Sequence, residues 1–214
     1  MDRLLRIAYS ISVAALIVCF SLMLMLLPPI TRFWAERLVD EQNSAVSREA
    51  LLQAADAGLS FVSGGEDRMP RGNDYRTAFT DDVVSHMEDV RQVFQLVKLV
   101  ATMMFFIVLL LTVYFIRQDK KTSIGQSLCR SAFAVLIIVV VLFIIGLVNF
   151  DALFIKMHEL LFADGTWSFR YDSLLITTYP GQFWIAMGAT LALVLVATCI
   201  ACIAIGHRLQ RKAT

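Results

Sequence analysis

Charge is scarce in this 214-residue chain: Asp, Glu, Lys and Arg make up 17% of it, against about a quarter in ordinary soluble domains. The 19 basic and 18 acidic residues nearly balance, so no bulk electrostatic case exists for a nucleic-acid partner. Cysteine is scarce as well, and four residues do not make a dense disulfide framework. No G-x-S-x-G nucleophile elbow is present. What abounds is apolar side chain, at 58% of residues. That excess excludes a disordered chain, a coiled coil and an ordinary soluble globule, and points to the bilayer.

Four apolar runs are long enough to cross a membrane: 7–27, 96–116, 131–148 and 183–206. Each approaches the ~20 residues needed to span hydrocarbon as a helix, the form in which a segment satisfies its own backbone. Pro28 and Pro29 stop the first run, and Asn149 and Asp151 stop the third. The first run is long for a signal-peptide core and lacks an Ala-x-Ala cleavage site, so an uncleaved anchor is the expectation. The predicted fold class is an all-α integral membrane protein, a single membrane domain of four transmembrane helices. Two loops, 29–92 and 151–182, form a cap outside the cell.

Lys and Arg near the span ends set the orientation. The short loop 117–130 carries Arg117, Lys120, Lys121 and Arg130 against Asp119 alone. The tail carries Arg208, Arg211 and Lys212, and the N-terminus carries Arg3 and Arg6 against Asp2. The loop 29–92 has seven Arg and twelve acids, net −5, and 151–182 is net −2. Both termini are therefore expected in the cytoplasm and both large loops outside.

The first outer loop is too long to be a bare connector. Ser44 or Ser47 caps a predicted amphipathic helix running to Ala57 and lying at the headgroup level. The stretch 64–73 has the Gly, Pro and Asn chemistry of irregular loop. Thr80 is a candidate N-cap, and Asp81 and Asp82 complement the dipole of a helix expected to continue into the second span. Asp82, His86 and Asp89 share one face of that helix. In the second outer loop, a short helix after the apolar run 152–155 would hold His158 at the same depth as His86. Trp167, Phe169, Tyr171, Tyr179, Phe183 and Trp184 follow, mostly accounted for by an interfacial aromatic belt.

The chain has only three histidines, and His207 lies in the basic tail. The other two are predicted on the outer side, where titratable groups near a membrane are suspect as functional. His158-Glu159-Leu160-Leu161-Phe162 begins like a zinc-protease helix, but Phe162 stands where the second His is needed. Cys199-Ile200-Ala201-Cys202 is a C-x-x-C deep in the fourth span, read as small core residues. The site thus offers acids and bases without a protein nucleophile, so the nucleophile arrives on the substrate. Two alternatives stay open: a non-enzymatic protein whose outer histidines hold haem or a metal ion, and a scaffold whose loops bind a partner.

Three segments carry a resemblance. Ser85-His86-Met87-Glu88-Asp89-Val90-Arg91 resembles an H-[ML]-x-D-V-[KR] segment leading into a membrane helix. His158 with Leu161-Phe162 and then Trp167 is the second. Asp172 through Trp184 resembles D-x-L-I-x-x-Y-P-x-x-F-W, with one extra residue between Asp172 and the Leu-Ile pair. Together they resemble the bacterial lipoprotein intramolecular transacylase family, four-span proteins of the cytoplasmic membrane. The resemblance implies an acyltransferase without a cofactor. Its substrate would be a diacylglyceryl-modified lipoprotein, presented in membrane lipid. Its reaction moves the sn-2 acyl chain onto the N-terminal Cys α-amine, giving the N-acyl S-monoacylglyceryl (lyso) form. On that basis His86 and His158 are the predicted catalytic pair, with His86 as base, His158 as acid, and the roles exchangeable. Asp89 or Asp82 would orient His86, and Tyr179 is a candidate oxyanion donor. Asp172 and Trp167 are supporting residues, and Arg91, on a different side of the helix from His86, has a lesser claim.

Overall fold

The computed structural model describes residues 2–211, and the regular secondary structure among them is all helix, with no strand. Lys212, part of the basic tail, lies outside the described residues. Eight helices follow in order: α1 (Asp2–Met25), α2 (Pro28–Leu38), α3 (Arg48–Ser63), α4 (Asp81–Arg117), α5 (Lys121–Val148), α6 (Phe150–Leu161), α7 (Leu174–Thr178) and α8 (Gly181–Arg211). Four of them, α1, α4, α5 and α8, are long and apolar enough to cross a membrane. The chain is an all-α membrane protein.

Local chemistry places the boundaries. α1 stops at Met25, short of Pro28 and Pro29, and those prolines open α2 at its first positions, where a missing N–H costs nothing. Asn149 separates α5 from α6 by capping the latter, its side chain accepting from the Ala152 amide. α4 runs unbroken for 37 residues from Asp81. Ser47 is the α3 cap, accepting from the Ala50 amide, and the helix continues past Ala57 to Ser63, where Gly64 closes it at φ 88°.

The chain divides into two compact units. The first comprises Met1–Met23, Val97–Ile145 and Thr190–Thr214. Tyr9, Val13 and Ile17 form a four-residue-spaced stripe on α1 and pack with Phe115, Ala132, Val135, Val139, Leu195 and Cys199. Small residues permit close approach, as at helix interfaces in lipid. A Cβ added at Gly125 would lie 2.5 Å from the Gly206 carbonyl oxygen, and one at Gly206 2.7 Å from that of Gly125. Ser131 donates to the Ser10 carbonyl at 2.7 Å, and the neighbouring Ser127 hydroxyl is buried without a partner. Other large apolar side chains of this unit, Ile137, Ile138 and Leu142 among them, are exposed. All four cysteines are free, and Cys199 of the C-x-x-C is fully buried as a core residue.

The second unit comprises Leu24–Leu96 and Gly146–Ala189. α3 supplies Leu51, Ala54, Ala55, Phe61 and Val62 to its core, against Val83, Val84 and Met87 of α4 and Leu174, Leu175, Tyr179 and Phe183. The helix expected here is amphipathic, and α3 buries its Leu and Ala stripe against the apolar side chains of α4 and of residues 174–183. Two backbone hydrogen bonds tie the loops in, Leu174 N–H to the Tyr75 carbonyl and Asp40 N–H to the Thr177 carbonyl, both 2.8 Å.

Candidate active site

His86 lies in the second turn of α4 and His158 in the last turn of α6, and both are buried. Their rings stack at 27° with centroids 6.2 Å apart. Aromatic side chains surround the pair. Phe162 is 4.9 Å from His86 and 5.4 Å from His158. Phe169 is 5.5 Å from His86, Phe154 is 4.1 Å from His158, and Trp167 is 5.1 Å from His158. Phe154 and Phe162 stand four residues either side of His158, so α6 puts all three on one face. The i±4 spacing is the sequence signal by which Phe154 and Phe162 join the box.

His158 is held in one tautomer. Its Nδ1 lies 2.8 Å from the Phe154 carbonyl, and a carbonyl only accepts, so Nδ1 carries the proton and Nε2 the lone pair. Burial pushes its pKa below the ordinary histidine value, opposed by that backbone hydrogen bond. The ring is therefore neutral at neutral pH and able to accept a proton at Nε2. His86 has a buried Nδ1 with no hydrogen-bond partner. Two charged imidazoles this close would repel, so a proton on His158 disfavours one on His86.

The remaining predicted residues are distributed less simply. Asp82 is exposed and Asp89 half-buried, and neither provides a hydrogen bond to the unpartnered His86 Nδ1. The expected carboxylate that orients His86 is thus corrected: one helical face brings acid and imidazole close without bonding them. Arg91 pairs with Asp67 at 3.4 Å and stacks over Phe61 at 4.9 Å. Asp172 is a hub, meeting Arg170 at 3.2 Å, Arg76 at 3.6 Å and the Tyr75 hydroxyl at 3.3 Å. Burial alone would raise its carboxyl, but the Arg170 guanidinium holds it below the ordinary carboxylate range. It ties the segment bearing Trp167 and Phe169 to the segment around Tyr75.

Tyr179 also needs correction as an oxyanion donor. Its hydroxyl donates to the Ala55 carbonyl at 2.8 Å. Gly58 makes this possible, since a Cβ there would lie 2.6 Å from that oxygen. The phenol is a packing anchor whose one proton is already committed. Trp167 differs: its indole nitrogen is shielded from solvent and has no partner. Two open hollows in the same unit, about 270 and about 750 Å³, share Arg32 and Asp56 as lining and are not lined by either histidine.

The fold is similar to that of the membrane-integral lipoprotein intramolecular transacylase Lit from Bacillus cereus, solved in meso. The TM-score is 0.83 at 17% identity, covering 99% of this chain and 97% of that one. A histidine-to-alanine variant of the same protein matches with a TM-score of 0.79 at 18% identity, covering 99% and 94%. At such identities the likeness concerns the fold. An uncharacterized protein of Aquifex aeolicus (strain VF5) is 31% identical over 148 residues, 67% of this chain. The match spans only 65% of the Aquifex protein's own length. A sequence model of the lipoprotein intramolecular transacylase Lit family matches residues 7–184. With the family's pattern running across most of the chain and its fold throughout, the protein belongs to the lipoprotein intramolecular transacylase Lit family.

Proposed function

We propose that this chain transfers the sn-2 acyl group of a diacylglyceryl lipoprotein onto the α-amine of the same molecule's N-terminal Cys, leaving the lyso form. The observation that carries this is the stacked His86–His158 pair inside an aromatic box, where the hydrogen bond made by the pair among the described residues goes to the Phe154 carbonyl and not to a hydroxyl or thiol. Amine and ester belong to one substrate. Holding them together supplies an effective molarity of about 10⁵–10⁸ M in well-oriented cases.

The protons balance over two imidazoles. The amine arrives largely as ammonium, its pKa being about 7.7–8.0. Neutral His158 takes one proton at Nε2, freeing the amine to attack the ester carbonyl carbon. His86 removes a second proton from the nitrogen as the tetrahedral intermediate collapses. At the same moment His158 returns its proton to the departing glycerol oxygen, so the pair never holds two charges. The products are an amide and a free hydroxyl, and His86 releases the one net proton to water. Each general acid–base contribution is worth about 10²–10⁴-fold. The Phe154 carbonyl supports His158 as the group that both accepts and donates through Nε2.

The distribution of Lys and Arg supports placing this site on the outer face of a bacterial cytoplasmic membrane, with both termini inside. A membrane-impermeant thiol reagent should label an Asp164→Cys chain from outside intact cells; labelling only after lysis would reverse the orientation. Among the described residues no group of three or more His, Cys, Asp or Glu is placed to hold an ion, and a Soret band in the purified protein would favour the haem alternative instead. Mass spectrometry of a lipoprotein N-terminus, with and without this protein, tests the proposal. Lyso-form product should appear with the wild-type chain and vanish with His86→Ala or His158→Ala. Full conversion by either variant would end the proposal.

A further inference from the structure

Acyl transfer places negative charge on the former carbonyl oxygen, and a buried site needs a donor aimed at that oxygen. The second unit supplies few. The Tyr179 hydroxyl is spent on the Ala55 carbonyl, and His158 Nδ1–H is spent on the Phe154 carbonyl. Both imidazoles exchange protons in the amine-to-glycerol transfer, and the unpartnered Arg91 Nε and Thr178 Oγ1 make no ring contact with either histidine. One N–H in the box takes no part in proton exchange. The Trp167 indole nitrogen is shielded from solvent, has no hydrogen-bond partner, and belongs to a ring 5.1 Å from that of His158. An indole N–H is a donor only and is not ionised in this pH range, so it has no competing part in the proton transfers. A buried donor left unpaired costs about 1–3 kcal/mol, which a substrate oxygen would offset.

We propose that Trp167 is a catalytic residue: its indole N–H donates to the oxyanion of the tetrahedral intermediate. The proposal rests on the acyl-transfer function above. When the amine nitrogen bonds to the ester carbon, the carbonyl π pair moves onto oxygen and the indole N–H hydrogen-bonds to it without giving up its proton. When the bond from that carbon to the glycerol oxygen breaks, the pair returns to re-form the carbonyl of the amide. Trp167 sits on the segment between α6 and Asp172, which is tied to Arg76 and Tyr75 by the carboxylate. The donor is thereby positioned before substrate arrives.

Two substitutions test this with the full-length chain and a synthetic diacylglyceryl lipopeptide. Trp167→Phe keeps an apolar aromatic ring and removes the N–H. Incorporation of benzothienylalanine at 167 keeps the shape of indole and removes only the donor. Both should lower kcat by about 10²–10³-fold with KM within about twofold and an unshifted pH profile, as for loss of one transition-state donor. Wild-type kcat with benzothienylalanine would overturn the proposal, whether or not Trp167→Phe folds. A change confined to KM would also overturn it, by making the indole a binding surface. The His86→Ala chain separates the two claims: if it is inactive while the benzothienylalanine protein is fully active, acyl transfer stands and the indole donor falls.

Discussion

Around Tyr9, Phe115 and Cys199 the packing is mostly aliphatic with one aromatic cluster of Tyr9, Tyr114 and Phe115, and the Tyr9 and Ser131 hydroxyls bond another hydroxyl or backbone while that of Ser127 has no partner. Around His86 and His158 they are aromatic and titratable, and donors are left unpaired. The ion pairs named above, centred on Asp172, Arg91 and their neighbours, also lie in this second unit. The difference follows from what each environment supplies. In lipid no water exists to satisfy a stray polar group, so a spanning unit is built from close backbone approach and self-satisfied hydroxyls. A catalytic unit must instead keep some groups unsatisfied until substrate comes, and it needs a rigid frame to hold them there.

The sharpest break is at the histidines. His86→Ala and His158→Ala should each cut conversion by at least about 10²-fold, with expression and thermal stability near wild type, as read by lipoprotein mass spectrometry and a melting curve. A glycine change in the first unit should do the reverse. Gly125→Leu must push apart two backbones whose approach leaves no room for a Cβ, and overpacking costs about 1–3 kcal/mol. A lower Tm in detergent with kcat retained below the transition would show that this unit supports the fold without touching the chemistry.

Smaller effects sharpen the contrast within the second unit. Tyr179→Phe removes one buried hydrogen bond, costing about 0.5–1.5 kcal/mol of stability, and should leave kcat unchanged; a large kcat loss would restore the phenol as a catalytic donor. Acid should act on His158 and Asp172 differently. His158 is depressed by burial, so it stays neutral through the ordinary histidine range and conversion should fall only as pH drops below about 6.5. Asp172 is held below the ordinary carboxylate range. Its contribution to stability is complete above that range and is lost as pH falls through the folded value, so Asp172→Asn should abolish part of the acid sensitivity of the Tm.

The chain's pattern foretold much of this and missed identifiable parts. The four spans are visible because lipid demands long uncharged runs, and Pro28-Pro29 and Asn149 act locally where they stand. Asp82, His86 and Asp89 could be placed on one helical face, but helix spacing does not say whether a carboxylate bonds the imidazole. The free Nδ1 of His86 shows that none bonds there. Phe154 and Phe162 were legible as neighbours of His158 at i±4, yet inside an apolar stretch they look like any membrane-facing residue. Tyr179 sits in a family-like motif, and its commitment to Ala55, 124 residues away in sequence, has no local trace.

From the amino-acid order alone came the helical class, the number of spans, the family pattern and the pair of histidines, because hydrophobic run length, helix-breaking residues and rare titratable groups are local properties. Tertiary structure alone decided that the two imidazoles stack, that Nε2 of His158 carries the lone pair, and that Trp167 keeps a free donor while Tyr179 does not. Hydrogen-bond partnership depends on which distant backbone groups the packed helices bring within 3 Å or so of a side chain, and that information exists only once the chain has folded.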